Sequence, residues 1–282
     1  MLLLLSEITW NTKPYIFKIG SFELPWYGLL FAAGFLIGYQ IMAHIFKKEG
    51  RSEKDLDALL MTMIISTVIG ARFGHYFFYE TALLQENPGK FFLDMITPPF
   101  RGLASHGAAI SIVFALWLYA RKRPDQPFLW VTDRMVIPAA LGGAFIRLGN
   151  LMNHEIVGKP TTLPWGFRFN DFRLINGEVV GIPENVVRHP AQLYESITCF
   201  LLFGLLFFLW NRWKANTPRG SLTAIWFIWI FGLRFFYEFI KENQENFENS
   251  MTLNMGQILS IPLVLFGLIV LFISLKNRNK AA

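Results

Sequence analysis

The chain has one cysteine in 282 residues, so it forms no internal disulfide and no thiolate metal cluster. Cys199 lies between Thr198 and Phe200 in an apolar run, where it reads as a small packing residue rather than a resting nucleophile. Charge is scarce as well: 16% of residues are charged, too few to cover a soluble surface. The histidines, His44, His75, His106, His154 and His189, show no HExxH spacing, so neither a metal nor a cofactor is expected. A GxSxG elbow and a GxxxxGKS/T loop are both missing, which removes the usual serine hydrolase and nucleotide-binding readings. No unit repeats along the chain, and no inverted pair of interrupted helices of the transporter kind is visible. Met1 to Leu5 is apolar but far too short for a signal segment and lacks a basic flank, so no removable peptide is expected.

What the chain does have is apolar length. Hydrophobic residues make up 53% and aromatic residues 16%. Crossing roughly 30 Å of hydrocarbon at about 1.5 Å per residue takes about 20 apolar residues. Such windows run Trp26 to Phe46, Leu56 to Tyr79, Leu103 to Ala120, Leu129 to Leu148, Ala191 to Trp210, Ser221 to Ile240 and Gln257 to Leu275, predicting seven membrane helices. The fold expected is an all-α polytopic membrane protein, one integral domain over residues 1–282.

Basic residues in the short connections set the orientation. The dense set is Lys47, Lys48, Arg51 and Lys54; Arg121, Lys122 and Arg123; Arg212, Lys214 and Arg219; and Lys276, Arg278 and Lys280. These connections should be cytoplasmic, which puts the N-terminus outside and the C-terminus inside. The net charge of +6 is accounted for by these flanks against anionic lipid, with no nucleic acid partner.

Two segments outside the bilayer are long enough to carry structure. Residues 149–190 form an expected extracytoplasmic head: Pro160, Pro164 and Pro183 break helices, and Asn176-Gly177 between Arg173-Leu174-Ile175 and Glu178-Val179-Val180 reads as a tight hairpin flanked by short strands. The arm over residues 1–25 alternates similarly around Gly20-Ser21. Glu80 to Arg101, with Phe91, Phe92 and Phe100, looks interfacial.

Polar residues collect at one depth. With odd-numbered predicted helices running inward, Tyr27, His106, Tyr194 and Glu195 lie near the starts of the first, third and fifth. Arg72, Arg147, Asn150, Arg234 and Glu238 lie toward the ends of the second, fourth and sixth. All fall in the outer half. A lipid-facing arginine costs roughly 2.5 to 3.5 kcal/mol even on a lenient insertion scale, so Arg72, Arg147 and Arg234 need a partner. Fixed positive charge gathered at headgroup level suggests a phosphate.

Structural alternatives stand beside that reading. Arg234 and Glu238 are four apart on one helix face and suit a structural ion pair. Gly70-Ala71-Arg72-Phe73-Gly74 suits close helix packing, with Arg72 in support. Asn153 and His154 suit helix-end chemistry, and His106 a hydrogen-bonding strut. Arg147 and Glu155, in the run Arg147 to Gly158, are harder to explain as structure.

These residues resemble the bacterial prolipoprotein diacylglyceryl transferase family. Arg147 to Gly158 is similar to its signature. Supporting matches are Trp26-Tyr27-Gly28, Gly70-Ala71-Arg72, Ser105-His106-Gly107, the run Arg188 to Glu195 with Gln192, Arg234-Phe235 with Glu238-Phe239, and Met255 to Pro262, in order along nearly the whole chain. Three positions depart from the family pattern. Ile146 and Ala108 stand where glycine is usual, and Lys241-Glu242-Asn243-Gln244 follows Glu238 where the family continues to an arginine and a Pro-Asp pair. Lysine keeps the charge but loses the planar fork.

The resemblance implies transfer of a diacylglyceryl group from phosphatidylglycerol to the lipobox cysteine thiol in a prolipoprotein signal peptide. The products would be a thioether and glycerol phosphate, made by a monomer in the bacterial inner membrane with its site toward the outside. A mechanism that fits this transfer puts Arg147 and Arg234 at the leaving phosphate, while the incoming thiol needs a base or a positive field, with His106 as the expected base. Tyr27, Asn150, Glu155 and Gly158 would bind substrate with Glu238, which would position Arg234; Arg72, Gln192, Tyr194 and Glu195 would support them. The competing class is a transporter or flippase that holds an anionic lipid without covalent chemistry.

Overall fold

The computed structural model describes residues 8–20, 22–97, 102, 104–175, 178–242, 248 and 250–281. Its helices are α1 (Trp26–Lys48), α2 (Glu53–Tyr79), α3 (Thr81–Glu86), α4 (Pro88–Ile96), α5 (Ser105–Arg121), α6 (Phe128–Met152), α7 (Ala191–Trp213), α8 (Ser221–Tyr237) and α9 (Met255–Ala281). The strands are β1 (Ile8–Trp10), β2 (Tyr15–Ile19), β3 (Phe22–Pro25), β4 (Phe167–Ile175) and β5 (Glu178–Arg188). Among the described residues, five helices are long and apolar enough to cross a membrane, namely α1, α2, α6, α7 and α9, and α8 is a shorter apolar helix. Leu36 on α1 is 70% exposed, and Phe208 and Phe272 on α7 and α9 are likewise open. Such continuous apolar surface on long helices is lipid-facing surface, and the chain is a mostly helical polytopic membrane protein with small sheets.

Each apolar window corresponds to a helix, with local chemistry at the ends. Ser52 caps α2 by accepting a hydrogen bond from the Asp55 amide at 3.1 Å, and Glu53 and Asp55 suit the positive end of the helix. Asn87 caps α4 in the same way through the Lys90 amide at 3.0 Å, with Pro88 in the first turn. Asp133, buried on α6, accepts from the Gly220 amide at 2.6 Å and from the Thr223 amide and hydroxyl at 2.9 Å each, so it caps α8 from a neighbouring helix.

The chain divides into two compact units, residues 42–132 and residues 1–41 with 133–282. In the first, α2 and α5 pack at glycines: a Cβ on Gly74 would stand 2.6 Å from the Gly107 Cα, and one on Gly70 would stand 2.7 Å from the Gly107 carbonyl oxygen. The small-residue run around Arg72 therefore serves close packing, as the sequence suggests. Tyr76, Phe91 and Met95 form a cluster that seats α4 on α2.

In the second unit, α1 meets α6 where Gly38 faces Pro138 and Gly34 faces Gly142. Ser196 on α7 donates to the Ala144 carbonyl on α6 at 3.0 Å, and Trp229 on α8 donates to the Thr198 carbonyl on α7 at 3.1 Å. Above the end of α6 sits a three-stranded sheet in the order β1-β4-β5, with β1 parallel and β5 antiparallel to β4. The expected hairpin strands are longer than the sequence suggested, and the Asn176-Gly177 turn lies outside the described residues, as does Ser21 between the antiparallel β2 and β3. Leu151, Phe167 and Phe169 form the core of this head, with Trp10 stacked on Phe167 at 5.4 Å.

His154 is half-buried in the head, its ring 5.7 Å from Phe169 and its Nε2 2.9 Å from the Thr12 carbonyl oxygen. Burial pushes its imidazole below the usual 6.5, partly opposed by backbone partners at Thr12 and Asn170. The unfolded chain therefore takes up the proton at a higher pH than the folded head. The stability contributed is present above the ordinary histidine range and is lost as pH falls below about 6.5. The melting advantage of wild type over His154→Gln should shrink between pH 7.5 and 5 in detergent; a constant difference would contradict this.

Candidate active site

The second unit gathers charge where α6, α7, α8 and α9 end or begin. Arg147 is on the penultimate turn of α6, and its Nε is 2.6 Å from Glu195 Oε2 on α7. Asn150, three residues on, takes the Arg147 Nη1 at 3.4 Å and donates to Glu155 Oε2 at 3.1 Å. Asn153 donates to the other oxygen of Glu155 at 3.1 Å, and the Glu155 amide returns to the Asn150 carbonyl at 2.9 Å. The end of α6 is thus folded back on itself by carboxamides. Gln192, fully buried on α7, donates to the Glu155 carbonyl, and the Tyr27 ring covers Gly149, where an added Cβ would stand 2.7 Å from Tyr27 Cδ2.

On the other side, Arg234 Nε on α8 lies 3.5 Å from Glu238 Oε1. Between the two arginine–glutamate pairs stands Lys241, whose Nζ is 3.3 Å from Glu195 Oε1 and 3.1 Å from Glu238 Oε1. The result is one line of alternating charge: Arg147, Glu195, Lys241, Glu238, Arg234. Its layers differ in exposure. The Glu195, Glu238 and Lys241 side chains are 9, 8 and 3% exposed, whereas those of Arg147 and Arg234 are 28 and 44% exposed. A buried carboxylate pairs with the Nε of each guanidinium, Asn150 takes Arg147 Nη1, and both arginine side chains stay partly exposed; along the line three cations stand against two carboxylates.

Backbone pairing fixes this line. Gly158 and Lys241 form an antiparallel bridge, with the Gly158 amide donating to the His189 carbonyl at 3.0 Å and the Lys159 amide to the Ile240 carbonyl at 2.8 Å. Asn254 caps α9: it takes the Gln257 amide at 2.9 Å while Gln257 Oε1 takes the Asn254 amide at 3.1 Å, a reciprocal capping box. The side-chain Nδ2 of Asn254 donates to Glu238 Oε2 at 3.1 Å. Gly256 permits that approach, since a Cβ there would stand 2.6 Å from the Glu238 carboxyl carbon.

A family model for prolipoprotein diacylglyceryl transferase matches residues 14–273. The chain belongs to that family. It is similar to the phosphatidylglycerol–prolipoprotein diacylglyceryl transferase of Chloroherpeton thalassium, with 41% identity over 97% of each chain. The enzymes of the same name from Tolumonas auensis (39%, covering 96% of this chain and 99% of the relative) and Porphyromonas gingivalis (40%, covering 96 and 95%) are similar as well.

Within this diacylglyceryl transferase family member, Tyr27, Arg147, Asn150, Glu155, Gly158, Gln192, Glu195, Arg234 and Glu238 all fall in the second unit around the charged line. Tyr194 accepts from Trp165 Nε1 at 2.9 Å and lies 3.4 Å from His189 Nδ1, tying α7 to the head. His106 and Arg72 belong to the other unit. His106 is the second residue of α5, with its ring edge-on to Phe78 at 4.7 Å and tilted to Tyr79 at 5.7 Å. Arg72 is buried and gives its guanidinium to the end of α4, with Nε to the Met95 carbonyl at 2.9 Å, Nη2 to the Asp94 carbonyl, and the group stacked 4.6 Å over Tyr76. A cation at a helix C-terminus offsets the partial negative charge there.

Sequence reasoning missed Lys241, Asn254 and Gln257. Gln257 stood inside a family match and Lys241 was visible as a departure. Neither residue's spacing signals a shared carboxylate. Among the described residues no group of His, Cys, Asp and Glu could hold a metal ion.

Proposed function

We infer that the charged line is the centre of a transferase that moves the diacylglyceryl group of phosphatidylglycerol onto the lipobox cysteine of prolipoproteins, forming a thioether and releasing glycerol phosphate. The observation that carries this is the pair of accessible guanidiniums, Arg147 and Arg234, each anchored from beneath by a buried carboxylate. The topology proposed with it has seven spans, α5 and α8 included. The N-terminus and head are outside, the C-terminus is cytoplasmic, and the site faces outward in the inner membrane of a monomer.

The chemistry follows from charge. A lipobox thiol, mostly protonated at neutral pH with a reference pKa of about 8.5, loses its proton to a base and attacks the glycerol carbon that carries the phosphate. A carbon–sulfur bond forms as the carbon–oxygen bond breaks, and the electron pair leaves on oxygen. The phosphodiester carries one negative charge, while the departing monoester approaches two. Arg147 and Arg234 meet that added charge; a well-aimed donor of this kind contributes about 2.7 to 4 kcal/mol to the transition state. Tyr27, Asn150 and Glu155 hold the glycerol and headgroup oxygens. The chain's own Cys199 has no part in the reaction, because the nucleophile arrives with the peptide.

His106, which belongs to the other unit, is the base in this proposal, imidazole being the commonest general base among side chains. His106→Gln should lower turnover about 100-fold or more in the folded protein; unchanged turnover would take the role from it. Mass spectrometry of a lipobox peptide after incubation with purified protein and phosphatidylglycerol tests the whole reading. A diacylglyceryl adduct is expected. Lipid movement between leaflets without an adduct would instead favour a flippase, which also suits buried arginine but does not need it at one membrane face.

A further inference from the structure

We propose that Lys241 is a positioning residue for both arginines, holding Glu195 and Glu238 so that Arg147 and Arg234 stay turned toward the substrate; this rests on the transferase reading above. Two carboxylates buried close together repel, and a buried charge is tolerated only when paired. Lys241 is the group they share, with its Nζ within 3.3 Å of one oxygen of each. Glu238 has a second neutral donor in Asn254, whereas the ionic partners that Glu195 has among the described residues are Arg147 and Lys241.

Without the ammonium, each carboxylate turns to its own arginine for full compensation. A guanidinium forms bidentate pairs readily. Arg147, now held through Nε, and Arg234, held through Nε at 3.5 Å, would be drawn into two-pronged pairs and away from the open face. Lys241 thus competes with the arginines for the carboxylates and leaves guanidinium hydrogens for a phosphate. A compact ammonium suits this task because it satisfies two acceptors from one point and leaves both second oxygens to other partners.

The position of Lys241 is set by backbone rather than by chance side-chain reach. Its bridge to Gly158 and the hydrogen bond from the Glu242 amide to the Val157 carbonyl at 3.3 Å register it against the segment that follows Glu155. Backbone pairing therefore fixes Lys241 in register with the segment that runs on from Glu155.

The test uses full-length protein, labelled phosphatidylglycerol in mixed micelles and a lipobox peptide. Lys241→Met, of similar length but uncharged, should lower kcat about 100-fold, the cost of misplacing a reacting partner by about 1 Å, with a smaller change in KM for the peptide. Lys241→Arg should recover most of the loss. Adding Glu238→Gln to Lys241→Met should cost less than the two separate losses combined, since removing one carboxylate removes the imbalance. Thermal melting and the folded fraction are measured for every variant. A kcat within twofold of wild type in Lys241→Met, a loss that tracks the folded fraction alone, or Lys241→Arg as poor as Lys241→Met would overturn the positioning role. If wild type itself formed no adduct, the transferase reading would fail instead, which keeps the two outcomes apart.

Discussion

Arg147→Ala lowers thioether formation by about 100- to 1,000-fold at saturating lipid and peptide, the usual loss when one preorganised donor to developing negative charge is removed. The protein should remain folded, because Glu195 keeps its ion pair with Lys241 at 3.3 Å after its partner at 2.6 Å is gone. Arg147→Lys should fall between the two. It restores a positive charge but not a planar fork able to serve Glu195 and Asn150 at once, as the native guanidinium does. Single-turnover assays with labelled lipid, read beside melting curves, separate lost chemistry from lost structure. Full activity in Arg147→Ala would remove the arginine from the reaction.

The second large effect is expected at a residue with no charge. A Cβ on Gly158 would stand 2.5 Å from the His189 Cβ, 2.6 Å from the His189 carbonyl oxygen and 2.9 Å from the Ile240 carbonyl oxygen. Two of these neighbours are backbone and the third is fixed to it, so nothing flexible yields. Gly158→Ala must push apart the bridge that registers Lys241. Overpacking of this kind costs about 1 to 3 kcal/mol of stability, and the displaced pairing should cost roughly 100-fold in turnover. Gly142→Ala is the control: an added Cβ there meets nothing within 4 Å, and alanine favours a helix interior by up to about 1 kcal/mol. Equal turnover in the two variants would show that the Gly158 bridge does not hold the site.

Much of the architecture is legible from apolar length alone. Each predicted window has its helix, and for the five long enough to cross a membrane lipid leaves the backbone few alternatives to internal hydrogen bonding. The sixth window overran, reaching to Ile240, while α8 ends at Tyr237. The chain leaves the helix there so that Lys241 pairs with Gly158, a long-range event that a hydropathy window does not contain. The parallel pairing of β1 with β4 was hidden for the same reason.

The candidate site was legible to the extent that its residues share a depth. Arg147, Asn150, Glu195, Arg234 and Glu238 group by predicted depth and Glu155 by its place in the run Arg147 to Gly158, and the structure links them through Lys241 and Asn150. Depth alone does not distinguish uses of arginine, however. Arg72 looked like its companions in sequence, yet its guanidinium caps α4, since the C-terminus of a short helix was not visible there beforehand. In sequence Lys241 stands only as a lysine where the family continues to an arginine. Its place between two buried carboxylates gives a compact ammonium a task of its own, and only the fold brings Glu195, from a helix more than forty residues earlier, beside it.

The most direct test of guanidinium stabilisation of the departing phosphate varies the leaving group. Donor lipids with the same diacylglyceryl portion but progressively less basic phosphate or phosphonate leaving groups are compared in single turnovers of wild type, Arg147→Ala and Arg234→Ala. If the arginines neutralise charge that develops on the leaving oxygen, the deficit of each variant narrows as the leaving group needs less help. A deficit that stays constant across the series would mean that the arginines bind lipid without assisting the bond to break, and would contradict the account.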